Sequence, residues 1–256
     1  MSRQPAKVDI VIPVLNEAHV LRKSVETVWQ FLRSSRLPYN CEIVIVDNGS
    51  TDGTQKVAEE LSGEFSQVRF IHLVQRGRGR ALRSAWLQSK ADIVCYMDVD
   101  LSTGLDHLSE LLNAIAVDGY DIAIGSRLMR ESRTTRSLKR EFISRCYNVM
   151  VKAVLLTRFS DAQCGFKAVS RKAVEAIVPK VEDQSWFFDT ELLVLAEKQG
   201  YRIKDVPVVW VEDDDSRVKI VKTGWEDIKG ILRLRWYLWG QRLGVSSVAG
   251  ADRRRL

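Results

Sequence analysis

The feature that most limits the possible folds is a set of five short apolar runs, at residues 8–13, 42–47, 69–74, 92–97 and 121–125, rich in Val and Ile and without strict polar alternation. A strand with one wet face alternates, whereas unalternated runs belong to strands covered on both faces, as in a parallel sheet. Between them lie helix-like segments at 17–34, 54–61, 80–89 and 105–116, each able to serve as a crossover. This repetition predicts an α/β chain: an open, mostly parallel sheet with helices on both faces. Such sheets bind ligands at the carboxyl ends of their strands. Polar residues stand at those ends: 13–17, Asp47 to Ser50, Asp98 and Asp100, Ser126 and Arg127.

The 256 residues suffice for one large α/β domain or two small ones, and the 45% apolar and 28% charged content argues against wholesale disorder. A net charge of +6 favours acidic partners such as nucleotides, nucleic acid or lipid phosphate, with a merely basic surface as the plain alternative. No nucleic-acid reader motif is present, so nucleic acid is not expected as a partner. Cys41, Cys95, Cys146 and Cys164 form no CxxC pair and have no histidine at ligand spacing, which makes them reduced core thiols rather than zinc ligands. The opening residues MSRQPAK lead straight into a strand without a signal peptide, and no run approaches the ~18 apolar residues of a membrane span. The expectation is a cytoplasmic protein.

The second half changes character. Residues 137–156 form a basic amphipathic pattern, followed by DAQCGFK at 161–167, a short helix to 177, a helix over 187–199 and a strand over 204–210. An acidic turn, EDDDS, then precedes a helical pattern over 222–243, and VAGADRRRL reads as a disordered end. Segments 137–159 and 225–243 interleave Lys and Arg with apolar residues, the second carrying Trp225, Trp236, Tyr237 and Trp239. Helices of this kind lie in the headgroup region of a bilayer, or bury their apolar face on a core.

Three constellations carry chemistry. Asp47 ends a buried run before NGSTDG, placed to accept from a base or ribose, or simply to shape a strand-to-helix turn. QRGRGRAL at 75–82 offers guanidinium forks and helix-start N–H groups suited to phosphate, or is simply a solvated turn. Asp98 and Asp100, at i and i+2 after an apolar run, would share a face of an extended chain and repel unless a cation lay between them. A hard divalent ion, magnesium or manganese, that neutralises a diphosphate leaving group suits them best, with an unpaired acidic loop tip as the plain alternative.

Eight motifs in order resemble those of family 2 glycosyltransferases of the glycosyltransferase-A fold, within them the polyprenyl-phosphate (dolichyl-phosphate) glucosyl- and mannosyl-transferases. They are VIPVLNE, IVDNGSTDGT, GRGRAL, MDVD, IGSR, DAQCGFK, WFFDTELL and VPVVW, spread over residues 8–222. The resemblance implies a catalytic domain over 1–222, with a C-terminal interfacial helix and disordered tail over 223–256. It implies inverting transfer of a hexose from UDP-glucose or GDP-mannose to polyprenyl phosphate, by an enzyme peripheral on the inner face of the membrane. Alternatives keep the fold but take a soluble acceptor, or serve as a non-catalytic sugar-nucleotide-binding subunit.

Residue by residue, the resemblance puts Pro13, Leu15, Glu17 and Asp47 around the nucleoside and Arg78 near the phosphates. Asp98 and Asp100 would hold Mg2+ or Mn2+, and Lys219 would lie on a closing loop. Arg127, Arg140 and Ser144 would grip the acceptor phosphate, Arg127 and Asp100 with a catalytic role. Asp189 would be a base or, in preference, orient sugar hydroxyls. Glu191, about 200° round the helix from Asp189, should face elsewhere.

Overall fold

The computed structural model of the chain describes residues 5–212 and the helix over 220–242. The chain runs β1 (Lys7–Val14), α1 (Ala18–Ser34), β2 (Asn40–Asn48), α2 (Thr54–Glu64), β3 (Val68–Leu73), α3 (Arg78–Gln88), β4 (Ile93–Met97), α4 (Leu108–Ala116) and β5 (Ile122–Ser126). It continues with β6 (Arg133–Thr135), α5 (Leu138–Leu155), β7 (Phe166–Ser170), α6 (Arg171–Ile177), α7 (Phe188–Lys198), β8 (Ile203–Pro207), β9 (Val209–Val211) and α8 (Ile220–Arg242).

Seven strands form one sheet in the order β3-β2-β1-β4-β7-β5-β8, and β6 pairs with β9 in a separate ribbon. All pairings in the main sheet are parallel except those of β7, which runs antiparallel between β4 and β5. The predicted α/β architecture is therefore present, with one strand reversed at its centre. Successive residues of each strand feed opposite faces. Ile10, Ile12, Ile43, Ile45, Cys95 and Met97 pack under α1, α2 and α4, while Val11, Val44, Val46, Val94 and Tyr96 pack under α3, α5, α6, α7 and α8.

Three expectations are corrected. Residues 166–170 form a strand, where the sequence reading had only the DAQCGFK motif running into a short helix; the fully buried Lys167 hides the apolar character of FKAVS. The strand expected over 204–210 divides at Val208: β8 closes the main sheet, and β9 leaves it to join β6. Pro207 stands on that edge strand, where a missing N–H is tolerated. The thiols are not uniformly core: Cys95 and Cys164 are buried, but Cys146 is exposed on α5.

α8 seats one stripe, Asp227, Gly230, Ile231 and Leu234, at i, i+3, i+4 and i+7. Gly230 lies flat on the Phe187 ring, which an added methyl would meet at 2.5 Å. Arg233 on the same helix pairs with buried Glu191 at 2.8 Å. Glu191 thus faces α8 and not the partners of Asp189, as the helical angle predicted. The terminal segment expected to be disordered, and Lys219, lie outside the described residues.

Candidate active site

The parallel strands β1, β2, β4 and β5 present their carboxyl ends on one edge, and β7 begins there because it runs the other way. Asn48 ties this edge together: its side-chain amide donates to the Val14 carbonyl at 2.9 Å and accepts from the Gly77 N–H at 3.1 Å. Gly77, at φ 145°, permits the turn into α3.

Asp98 follows β4 directly, and its surroundings differ from the extended-chain expectation. The strand ends at Met97, and residues 98–101 form a turn in which the Leu101 N–H donates to the Asp98 carbonyl at 3.1 Å. Asp98 and Asp100 are therefore turn residues and not partners on one strand face. Asp98 is 42% exposed and accepts from Arg78 Nη2 at 2.5 Å. Its other oxygen, Oδ2, lies where a Cβ on Gly165 would come within 1.7 Å, so only glycine fits there. Asp100 is exposed and caps the turn, accepting from the Ser102 N–H at 2.9 Å.

Arg78 joins this carboxylate to a buried one. Its Nη1 donates to Asp189 Oδ2 at 2.8 Å, and its guanidinium lies 5.1 Å from the ring centres of both Tyr96 and Trp186. Burial opposes the charge on Arg78, but Asp98, Tyr96 and Asp189 outweigh it and hold the guanidinium ionised. The helix-start N–H groups assigned to phosphate are not free: Gly79 donates to the Ser185 carbonyl at 3.1 Å and Arg80 to the Gln184 carbonyl at 3.0 Å. Of the three arginines in this segment, Arg76 bonds the Gly49 carbonyl and Arg80 the Gln75 side chain, whereas Arg78 bonds two carboxylates.

Asp189, on α7, receives three donors: Arg78, Lys167 Nζ at 3.0 Å and the Tyr96 hydroxyl. Lys167 also donates to the Cys164 carbonyl at 2.5 Å and the Tyr96 oxygen at 3.1 Å. Burial and the Asp189 charge push the Tyr96 hydroxyl well above its ordinary range, which keeps it a donor. A carboxylate bonded by three buried donors is rigidly held. Lys167 and Tyr96 were not singled out in the sequence; they stand opposite each other in the β4/β7 register, visible only once β7 is recognised.

The expected acceptor group is dispersed among separate partners. Arg127 is clamped by buried Asp161, from Nε at 2.7 Å and Nη2 at 3.0 Å. Burial raises the Asp161 carboxyl, but Arg127 prevails and lowers it to about 2. Arg140 pairs with Glu212 at 2.5 Å, and Ser144 is buried with its hydroxyl unpartnered. Arg136, which sequence reasoning passed over, lies 5.9 Å from the Trp210 ring centre, with Arg127 at 5.6 Å from the same ring. Trp210 and Glu212, on or just after β9, are thus the hub around which three arginines gather.

On the nucleoside side, Asp47 is fully buried; Oδ1 accepts from the Ser50 N–H at 3.0 Å and Oδ2 faces His72 Nδ1 at 2.9 Å. Pro13 is buried at the end of β1, Leu15 is half-buried beyond it, and Glu17 N-caps α1 while its N–H donates to Thr54 Oγ1 at 2.8 Å.

The carboxylates suit a divalent ion. Asp98 is accessible and already holds a cation, the Arg78 guanidinium, and Asp100 is exposed beside it in sequence. Among the described residues no group of three His, Cys, Asp or Glu side chains forms a ligand set, so oxygens of a bound diphosphate and water would have to complete the coordination.

This strand order and edge define a glycosyltransferase-A fold. The chain is similar to glucosyl-3-phosphoglycerate synthase from Mycobacterium tuberculosis, solved with Mn2+, UDP and phosphoglyceric acid, at TM-score 0.67 and 17% identity, over 90% of this chain and 78% of that one. The family model for Glycosyl transferase family 2 matches residues 9–178, and the chain belongs to that family. It is 38% identical to glycosyltransferase AglD of Haloferax volcanii over 237 residues, 91% of this chain and 37% of that protein. It is 29% identical to dolichyl-phosphate beta-glucosyltransferase ALG5C of Trichomonas vaginalis over 220 residues, 82% of this chain and 65% of that protein. The chain therefore spans about a third to two thirds of the length of these relatives.

Proposed function

We propose that the chain transfers a hexose from a nucleotide sugar, UDP-glucose or GDP-mannose, to the phosphate of polyprenyl phosphate, with inversion at the anomeric carbon. The observation that carries this reading is the pairing of Arg78 with Asp98 at the carboxyl edge of the sheet, beside arginines gathered at Trp210. The likeness to dolichyl-phosphate glucosyltransferases over most of the chain supports the choice of acceptor.

The chemistry asks little of a general base. A phosphate monoester, with its second pKa near ~6, is largely the dianion at neutral pH and is itself the nucleophile. Its oxygen forms the new bond to the anomeric carbon as the bond to the diphosphate breaks, the electron pair leaving with the diphosphate. Mg2+ or Mn2+ held by Asp98 and Asp100 would supply neutralisation of that leaving group. Arg78 binds the diphosphate from the other side. Asp189, fixed by Lys167 and Tyr96, holds Arg78 in place; at 3% exposure it does not meet the sugar hydroxyls that the sequence led us to expect it to orient. Arg127, Arg136 and Arg140 draw the acceptor phosphate to the Trp210 side; Arg127 is preset by Asp161, and Arg140 exchanges Glu212 for phosphate.

No helix among the described residues is long and apolar enough to cross a membrane. We place the protein on a membrane surface, peripheral and cytoplasm-facing, through α5 and α8. Both leave aromatic and aliphatic side chains in water, including Leu138, Phe142, Trp225, Trp236 and Trp239, with Lys139, Arg145 and Arg235 also exposed. Incubating the protein with radiolabelled UDP-glucose or GDP-mannose, polyprenyl phosphate and Mn2+ should move label into an organic-extractable product, and EDTA should prevent it. Label confined to water-soluble products would refute the acceptor assignment.

A further inference from the structure

We propose that Arg78 is a resident counter-cation that occupies Asp98 until a nucleoside diphosphate draws it away, so that one side chain couples donor binding to metal binding. The inference rests on the reading of Asp98 as a metal ligand and goes beyond it. A guanidinium bonded to Oδ1 and a divalent ion on the same oxygen exclude each other, by contact and by like charge. The second oxygen offers no easy detour, because Oδ2 is packed against the Gly165 backbone at a distance that no side chain would tolerate. With Arg78 where it stands the carboxylate is therefore taken, although it is accessible to solvent.

The surroundings make release inexpensive. Asp189 does not depend on Arg78 alone, since Lys167 and the Tyr96 hydroxyl hold its other oxygen. When Arg78 swings from Asp98 it leaves no uncompensated buried carboxylate behind, and it can keep its bond to Asp189 as a pivot. Its guanidinium moves between the flat faces of Tyr96 and Trp186, which guide a fork in plane without fixing its endpoint. A diphosphate carries more negative charge than one aspartate and can accept from the Nη2 that leaves Asp98 while Nη1 stays on Asp189, so it competes for Arg78 on favourable terms. The α3 N–H groups of Gly79 and Arg80 are already bonded to the 184–185 carbonyls and the Arg80 side chain to Gln75, so of this turn the Arg78 side chain, the one that touches Asp98, makes that exchange. Each ligand then favours the other, and by linkage the effect is reciprocal.

Direct bonds between a metal and UDP would also couple the two, so the deciding measurement is made without nucleotide. Mn2+ binding is read from the electron paramagnetic resonance signal of the free ion. Arg78→Met should bind Mn2+ at least about ten-fold more tightly than the wild type in the absence of UDP, and the further tightening on adding UDP should shrink by a similar factor. Unchanged affinity in the folded variant overturns the proposal. Should Arg78→Met fail to fold, Arg78→Lys keeps a cation against Asp189 but loses the two-carboxylate fork, and a several-fold tightening is expected; no tightening overturns the proposal equally. Asp98→Asn separates the two layers of argument. If it binds Mn2+ as the wild type does, Asp98 is not the metal carboxylate and both readings fall; if it loses Mn2+ while Arg78→Met matches the wild type, only the counter-cation role falls.

Discussion

Lys167 and Asp189 form an ion pair of 3.0 Å in which the lysine side chain is wholly buried and the aspartate 3% exposed. The pair joins the centre of the sheet to α7 and fixes the carboxylate that meets Arg78. Removing one partner of a buried pair strands the other, whereas removing both does not. Lys167→Met should therefore destabilise the protein by about 3–5 kcal/mol, read as a lower urea midpoint at unchanged slope. Lys167→Met with Asp189→Asn, which removes both charges but keeps an amide oxygen to accept from Tyr96 and Arg78, should lose less than the single change. A double variant weaker than the single would show that the pair is not the source of the loss.

Arg127 and Asp161 give a pH signature. The Asp161 carboxyl is lowered from 3.8 to about 2, burial notwithstanding, by the Arg127 charge and hydrogen bonds. A depressed folded-state value contributes stability that is complete above the unfolded value and fades as pH falls from about 4 to about 2. The contribution is about 2 kcal/mol at neutral pH. Asp161→Asn should be less stable than the wild type at pH 7, and the two should converge near pH 2. Parallel urea midpoints across that range would contradict the assignment.

The sheet and its edge were legible because burial on both faces writes itself into unalternated Val and Ile runs, and because polar residues after such runs are few. Asp47, Asp98 and Arg127 were found that way. What the sequence concealed were partners distant along the chain. Asp161 is 34 residues from Arg127, Asp189 is 111 from Arg78, and nothing local marks either pairing. Lys167 was doubly hidden, since a buried cation both masked the strand character of β7 and has no meaning until Tyr96 and Asp189 surround it. The i, i+2 argument for Asp98 and Asp100 failed because the strand stops one residue too early. Asp227, by contrast, was within reach: it lies on the Gly230, Ile231 and Leu234 stripe that any helical projection of α8 shows.

Gly165 tests how closely Asp98 is held. A methyl group there would overlap the Asp98 carboxylate at 1.7 Å, whereas one on Gly63 in α2 meets nothing within 4 Å. Gly165→Ala should push Asp98 from its place and reduce hexosyl transfer by about a hundred-fold or more, the cost of losing one preorganised charge contact. Gly63→Ala should leave transfer unchanged and raise the urea midpoint slightly, as alanine favours a helix. Full activity in Gly165→Ala would mean that the observed Asp98 position is not the working one.

Asp227 should make the seating of α8 sensitive to pH. Its carboxyl, 3% exposed and bonded to Gln163 Nε2 at 3.3 Å, is raised from 3.8 to about 7 by burial, then by the nearby Asp183 and Glu226. A raised folded-state value means that its contribution is complete below about pH 4 and is lost as pH rises towards 7. At pH 8 the ionised group opposes folding by about 4 kcal/mol. Asp227→Asn should therefore stabilise the protein at pH 8 and make little difference at pH 4. The check is the difference in urea midpoint at the two pH values; an equal difference at both would exclude titration of this group.

Trp236 and Trp239 decide between a lipid-facing and a purely structural α8. They stand in edge-to-face contact, 5.6 Å between ring centres, yet 73% and 53% of their surface meets water. The opposite stripe of the helix is already seated on the core through Ile231 and Leu234, so these rings contribute little to folding where they are. Large amphipathic rings beside Arg235 suit the headgroup boundary, where the indole body leaves water and its N–H keeps a partner. Transfer of about 100 Å2 of ring surface at ~25 cal/mol per Å2 favours binding by about 2 kcal/mol per residue. Trp236→Ser with Trp239→Ser should weaken pelleting with anionic vesicles by at least about ten-fold, leave the urea midpoint within ~0.5 kcal/mol of wild type, and spare transfer to a short, water-soluble prenyl phosphate. A variant that pellets as the wild type does would assign these rings to packing against another part of the protein. A variant that loses stability instead would show that α8 needs them in order to fold.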